Sequence, residues 1–340
     1  MGALVCLVGG AVAAHGLTAS RITSTEAGAY NLARSASEVT VRTVRPTRAD
    51  RLVTGPQSPD LAMVGPRSRS NGLLAVFLPG TGDAPDCCKL FLRQAVSLGY
   101  LAIGLTYNNQ TAVATRCLNN LACFGSLRRN VFDGADASAY SNVSRRDGVE
   151  HRLAALLSYL ASHHPREGWG RFVRAGQPIW TSIVMSGHSQ GGGEAAFIAT
   201  IRRVRGVVTL SSPLDTNLSY RAATWVTTLH RGRTSIRRMV GFVHSEDPFY
   251  PRIIADWTAM GLKQLGAMTS VDTKPPPYRH THELLSSAAL PSVPLAAHDS
   301  TAVDSATPKC RNGSPEYAGV WDYMLELAGG LPISHAKAAC

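Results

Sequence analysis

Zinc spacing is missing from this chain: it has no paired C-x-x-C and no H-E-x-x-H, so its cysteines and histidines do not read as a metal centre. After the first residues, no stretch is long and apolar enough to cross a bilayer. Internal repeats and low-complexity tracts are absent, and the Pro-rich stretch Lys274 to Tyr278 amounts to a stiff turn. Acidic residues are outnumbered, 23 against 34 basic, giving a formal net charge of +11 and a pI near 9.6. That balance favours weak association with anionic surfaces. The basic clusters at Arg202, Arg203 and Arg205 and from Arg231 to Arg238 lack the interleaved aromatics of a single-strand-binding platform. Nucleic acid is therefore not expected as a partner.

What is present is enough apolar material for a large core. With 340 residues and 44% hydrophobic content, one catalytic domain over 20–340 is expected, since no linker divides the chain. Residues 1–14 are almost wholly apolar and end in the small-residue run Ala11, Val12, Ala13, Ala14, the pattern of a secretory signal, although no basic residue precedes the apolar run. Removing that segment would discard Cys6 and leave six cysteines, a number that fits disulfides and an extracellular location. Cys117 with Cys123 forms a plausible local loop, and Cys310 near Cys340 would tie down the C-terminus. The adjacent Cys87 and Cys88 are expected to reach two different partners. Sequons stand at Asn109, Asn142, Asn217 and Asn312.

Apolar runs bounded by turn residues recur at Leu73 to Leu78, Leu101 to Leu105, Ile183 to Met185, Val207 to Leu210 and Val240 to Val243, and read as buried parallel strands. Between the second and third, Val149 to Ala161 places Leu153, Leu156, Leu157 and Leu160 at helical spacing. The alternation predicts an α/β fold. Earlier, Glu38 to Val44 alternates apolar and polar side chains, as a half-exposed antiparallel strand does. The segment 108–142 is polar and without clear period, which predicts an insertion or lid. Phe249 to Leu262, with Trp257 and Met260, suits either an acyl pocket or a core helix.

The chemistry concentrates in Ser182-Ile183-Val184-Met185-Ser186-Gly187-His188-Ser189-Gln190-Gly191-Gly192-Gly193-Glu194, an apolar run, then G-x-S-x-G, then helix-forming residues. Such a strand, elbow and helix need small residues two before and two after the serine, because the chain reverses there too tightly for side chains. Gly187 and Gly191 supply them. The pentapeptide alone would arise by chance in roughly a quarter of such chains, so its setting between strand and helix carries the reading. Here the chain resembles the α/β-hydrolase superfamily, in particular secreted esterase and lipase-like members with a G-H-S-Q-G-G elbow. The resemblance spans Leu73 to the C-terminus. It implies the α/β-hydrolase fold, a mostly parallel central sheet of about eight strands with helices on both faces, and a catalytic serine, acid and histidine in that chain order.

Ser189 is the nucleophile on this reading, and a histidine must take its proton. His298, in Pro294-Leu295-Ala296-Ala297-His298-Asp299-Ser300, lies where the superfamily places that histidine; His188, His280, His282 and His335 read as structural or surface residues. For the orienting carboxylate, the exit from Val240-Gly241-Phe242-Val243 to Asp247 is favoured over Asp215, which follows an earlier strand, and over Glu246 and Asp256. The oxyanion donors expected are the backbone N–H of Gln190 and, from Leu78-Pro79-Gly80-Thr81-Gly82, that of Thr81 or Gly82. These residues imply a serine esterase acting on a small-molecule or lipid-like ester, with neither metal nor organic cofactor. A peptidase, amidase or thioesterase on the same fold, or a binding protein that has lost turnover, shares the same residues.

Overall fold

The computed structural model describes residues 39–134, 138–334 and 340, so the apolar leader at 1–14 and His335 lie outside the described residues. Nine strands form one sheet: β1 (Thr40–Val44), β2 (Asp60–Val64), β3 (Leu74–Leu78), β4 (Leu101–Gly104), β5 (Ile183–His188), β6 (Gly206–Leu210), β7 (Met239–His244), β8 (Thr269–Ser270) and β9 (Glu283–Ser286). Their order across the sheet is β1-β2-β4-β3-β5-β6-β7-β9-β8. β1 pairs antiparallel with β2, and β2 antiparallel with β4; every other pairing is parallel. The sheet has nine strands where about eight were expected; β8 and β9 had no apolar run long enough to announce them, whereas β2 carries one, Leu61 to Val64, that was not among the expected strands.

Parallel strands need both faces covered, and the side-chain alternation divides this sheet between two cores. Leu74, Val76 and Leu78 of β3 face one core, while Ala75 and Phe77 face the other. Helices α1 (Lys89–Ser97) and α6 (Ala318–Gly329) close the second core through Phe91, Leu92, Trp321 and Met324. Helices α2 (Leu121–Asp133), α3 (Val149–His163), α4 (Gln190–Ile201) and α5 (Tyr250–Met260) contribute to the first. Trp257 and Met260 are fully buried there, so α5 is a core helix; it meets the pocket through Arg252 and through Phe249 just before its first residue.

Within 108–142 the described residues include two helices. These are a short helix, Val113–Cys117, and then α2, whose buried Phe124, Leu127 and Val131 make a conventional apolar face. Cys117 is bonded to Cys123, and Cys310 to Cys340, as spacing suggested. Cys87 and Cys88 are bonded to each other, which corrects the expectation of separate partners.

Candidate active site

β5 ends at His188, and the chain then reverses through Ser189, whose backbone stands at φ 52°, ψ −119°, a conformation a side-chain-bearing residue adopts only under constraint. The glycines make this turn feasible. A Cβ at Gly187 would strike the Gly191 backbone, and one at Gly191 would strike the carbonyl of Leu78. Ser189 N–H donates to Leu210 O at 2.9 Å, and its own carbonyl accepts from Gly193 N–H at 3.1 Å, fixing both sides of the reversal.

His298 reaches this serine from a short helical turn, Ala296–Asp299, far along the chain. Its Nε2 is 2.8 Å from Ser189 Oγ, and its Nδ1 is 2.9 Å from Asp247 Oδ2. Asp247 follows β7, and its other oxygen accepts the Phe249 N–H at 2.8 Å. Both His298 and Asp247 are buried. The imidazole is braced further, since its backbone carbonyl accepts from Ser211 Oγ at 2.7 Å and from His188 Nε2 at 3.0 Å, and the Phe249 ring meets it edge-on at 5.0 Å. A hydroxyl, an imidazole and a buried carboxylate in series can pass a proton from oxygen to nitrogen and hold the resulting charge.

Strand order and elbow now stand together: two antiparallel strands at one edge, a crossed β4-β3 pair, parallel strands beyond, and the serine on the tight turn after β5. The chain has the α/β-hydrolase fold. No family model and no curated protein matches the sequence. Among solved structures, a variant of the esterase rPPE is 13% identical, with 92% of this chain and 91% of that one covered and a TM-score of 0.42. A bacterial heroin esterase is 12% identical, with 77% and 81% covered and a TM-score of 0.37. A hormone-sensitive lipase from a metagenome library is 11% identical, with 78% and 81% covered and a TM-score of 0.36.

Within this α/β-hydrolase fold, the loop after β3 comes up beside the elbow. Thr81 Oγ1 donates to Gln190 Oε1 at 2.8 Å, and the same oxygen accepts the Val113 N–H at 3.1 Å, so one glutamine side chain ties together the β3 loop, the elbow and the 108–142 segment. Asn109 holds the β3 loop from below, donating to Gly80 O at 2.5 Å and Asp83 O at 2.9 Å. Its amide is buried in this role, which removes Asn109 from the candidate glycan acceptors.

The other carboxylates considered do different work. Asp215 receives both ends of the Arg128 guanidinium at 2.6 Å each and the Trp225 indole N–H at 2.8 Å. Asp256 accepts the Asp215 backbone N–H at 2.6 Å. Glu246 lies on the exposed side of the β7 exit. Burial pushes Glu194 up to about 8, against the pull of Arg128, whose nearest approach to it is 3.3 Å. Arg128 is the residue that sequence reading missed: it rises from α2, fully buried, and also donates to Gln190 O at 3.1 Å, directly under the elbow. Gly193 leaves the room it occupies, because a Cβ there would meet the guanidinium. Arg128→Met would strand Asp215 in the interior with no cation, and thermal denaturation is expected to show a loss of about 3–5 kcal/mol, only partly recovered in Arg128→Lys, which cannot make the two-pronged contact.

A cavity of about 320 Å³ opens over the serine; Thr81, Ser189, Gln190 and His298 line it together with the apolar Val113, Leu214, Phe249 and Leu295. His188, His298 and Asp299 form the described residues' one trio of potential metal ligands, with donor atoms within 4.8 Å of one another. Both ring nitrogens of His298 are already engaged, by Ser189 and Asp247, and His188 Nε2 is turned to a carbonyl, so the trio is not arranged around an ion.

Proposed function

We propose that this protein is a serine hydrolase that cleaves carboxylic esters through an acyl-enzyme on Ser189. The single observation that carries the reading is the unbroken series from Ser189 Oγ through His298 to Asp247, at 2.8 and 2.9 Å, opening onto the cavity. His298 takes the Ser189 proton as the oxygen attacks the ester carbonyl, and Asp247 holds the Nδ1–H tautomer and stabilises the imidazolium. The backbone N–H groups of Gln190 and Thr81 are the oxyanion donors, a role supported by the hydrogen bond that keeps their two loops together. His298 then protonates the leaving alcohol and activates the water that releases the acid, a cycle that requires no cofactor.

The modest cavity supports short acyl groups, because pockets of this size hold compact ligands. Across p-nitrophenyl esters from acetate to palmitate, kcat/KM is expected to peak among the short chains and fall at least about 10-fold by palmitate, with p-nitroanilides slower still. Anilides cleaved faster than any ester would transfer the reading to an amidase. The disulfide pairs support an oxidising, extracellular setting, and among the described residues no helix is long and apolar enough to cross a membrane. Arg203, Arg205, Arg233 and Arg238 border a hollow near the starts of β6 and β7, at the end of the parallel strands opposite the serine, which supports weak association with anionic surfaces there.

A further inference from the structure

Besides Arg128, which is paired with Asp215, and Arg252, which donates to the carbonyls of Leu214 and Thr216, the lining of the catalytic cavity includes two further charged groups. These are Asp83, from the loop after β3, and Asp299, adjoining the histidine. Among the described residues neither carboxylate makes an ion pair with a lysine or arginine, although basic residues outnumber acidic ones in this chain. Burial raises both groups, Asp299 to about 6, while His298 draws them down and Asp83 adds to the rise of Asp299. Asp299 is therefore still charged at neutral pH, beside a second carboxylate.

A third acceptor lies behind them. His188 is 2% exposed, and burial lowers it to about 3, so its ring is neutral. Its Nε2 faces the His298 carbonyl, which can only accept, so the ring proton sits on Nε2 and Nδ1 is a bare acceptor. That buried Nδ1 has no partner. It lies against the bare α-carbon of Gly80: a Cβ there would stand 2.9 Å from Nδ1 and 3.1 Å from Asp83 Oδ2, so the two acceptors are close together beside Gly80, and both residues line the cavity. A buried acceptor without a donor costs free energy that a ligand N–H can recover.

We propose that this corner is a subsite for a protonated amine, and that the preferred substrates are esters whose alcohol part carries an ammonium N–H. The proposal rests on the serine-hydrolase reading of the same site. It assigns the amine to the alcohol because His298 must deliver a proton to the leaving oxygen, which places the leaving group on the histidine's side, where Asp299 and Asp83 stand. The acyl part is then left the apolar lining at Val113 and Leu214. Asp83 and Asp299 supply the charge, and His188 Nδ1 and Asp83 Oδ2 accept the N–H.

The test compares two esters of one shape, 2-(dimethylamino)ethyl butyrate, protonated at neutral pH, and 3-methylbutyl butyrate, which has carbon in place of nitrogen. In the parent enzyme the cationic ester is expected to have a kcat/KM at least about 10-fold higher. The readout in each variant is the ratio of the two, so a general loss of activity cancels. Asp83→Asn and Asp299→Asn should each lower the ratio, and the double variant should bring it to about one. A parent ratio near one, with the neutral ester cleaved, overturns the subsite and leaves the hydrolase reading intact. A ratio that survives in the double variant also overturns it. If the parent cleaves neither these esters nor the p-nitrophenyl series, the hydrolase reading falls and the subsite with it.

Discussion

Ser189→Ala is expected to lower kcat on the best p-nitrophenyl ester by about 10⁴-fold or more, with the variant folded as the parent is. The size follows from what the hydroxyl alone supplies. Among the described residues no other hydroxyl is placed against His298 Nε2, and without Ser189 Oγ at 2.8 Å the imidazole has no proton to take. What survives is binding plus the oxyanion donors, worth a residual rate over water. The fold should not change, because the elbow is fixed by backbone bonds to Leu210 and from Gly193 and by the glycines around it, none of which involve Oγ. KM is expected to stay within a few-fold, and full kinetics with circular dichroism on the same preparation would check both halves. Retention of parental turnover would remove Ser189 from the chemistry.

The second large effect separates two buried aspartates. Asp247→Asn should cost about 10⁴-fold in kcat with little loss of stability. Its Oδ1 can still accept the Phe249 N–H, but an amide N–H in place of Oδ2 favours the opposite His298 tautomer, with the proton on Nε2, where the serine needs an acceptor. Asp215→Asn should do the reverse. Asparagine cannot receive the two-pronged Arg128 contact, so a buried guanidinium loses its main counter-charge, and the expected cost is about 3–5 kcal/mol of stability. Its kcat per folded molecule should fall far less than that of Asp247→Asn. Thermal melts and kcat measured side by side give a crossed pattern; parallel losses in both variants would mean that the acid had been misassigned.

That these aspartates needed separating reflects how the site was encoded. Ser189 was legible because its chemistry is local: strand, glycine, serine, glycine and helix lie within a dozen residues, and each constrains the next. The buried strands were legible because both faces must be apolar, as in Leu74–Leu78. β9 is Glu-Leu-Leu-Ser and does not read as an apolar run, whereas β2 carries one, Leu61-Ala62-Met63-Val64, behind a buried Asp60 that accepts the Thr106 N–H. Helix α2 had a signal in the Asn120 cap and in Leu121, Phe124, Leu127 and Val131. It was obscured by Gly125 and by an arginine at a buried position. Arg128 makes sense only beside Asp215, 87 residues away, and His188 Nδ1 only beside Gly80 and Asp83. Such roles depend on which distant segments meet, and no local period records that.

The most direct measurement of the central claim is covalent labelling of the purified chain with a fluorophosphonate, followed by peptide mass spectrometry. The account predicts a single adduct on the peptide carrying Ser189, formed in the parent and suppressed when His298 is replaced by alanine, because only a serine activated by that imidazole attacks phosphorus at a useful rate. Absence of any adduct, or labelling that does not map to Ser189, would contradict it.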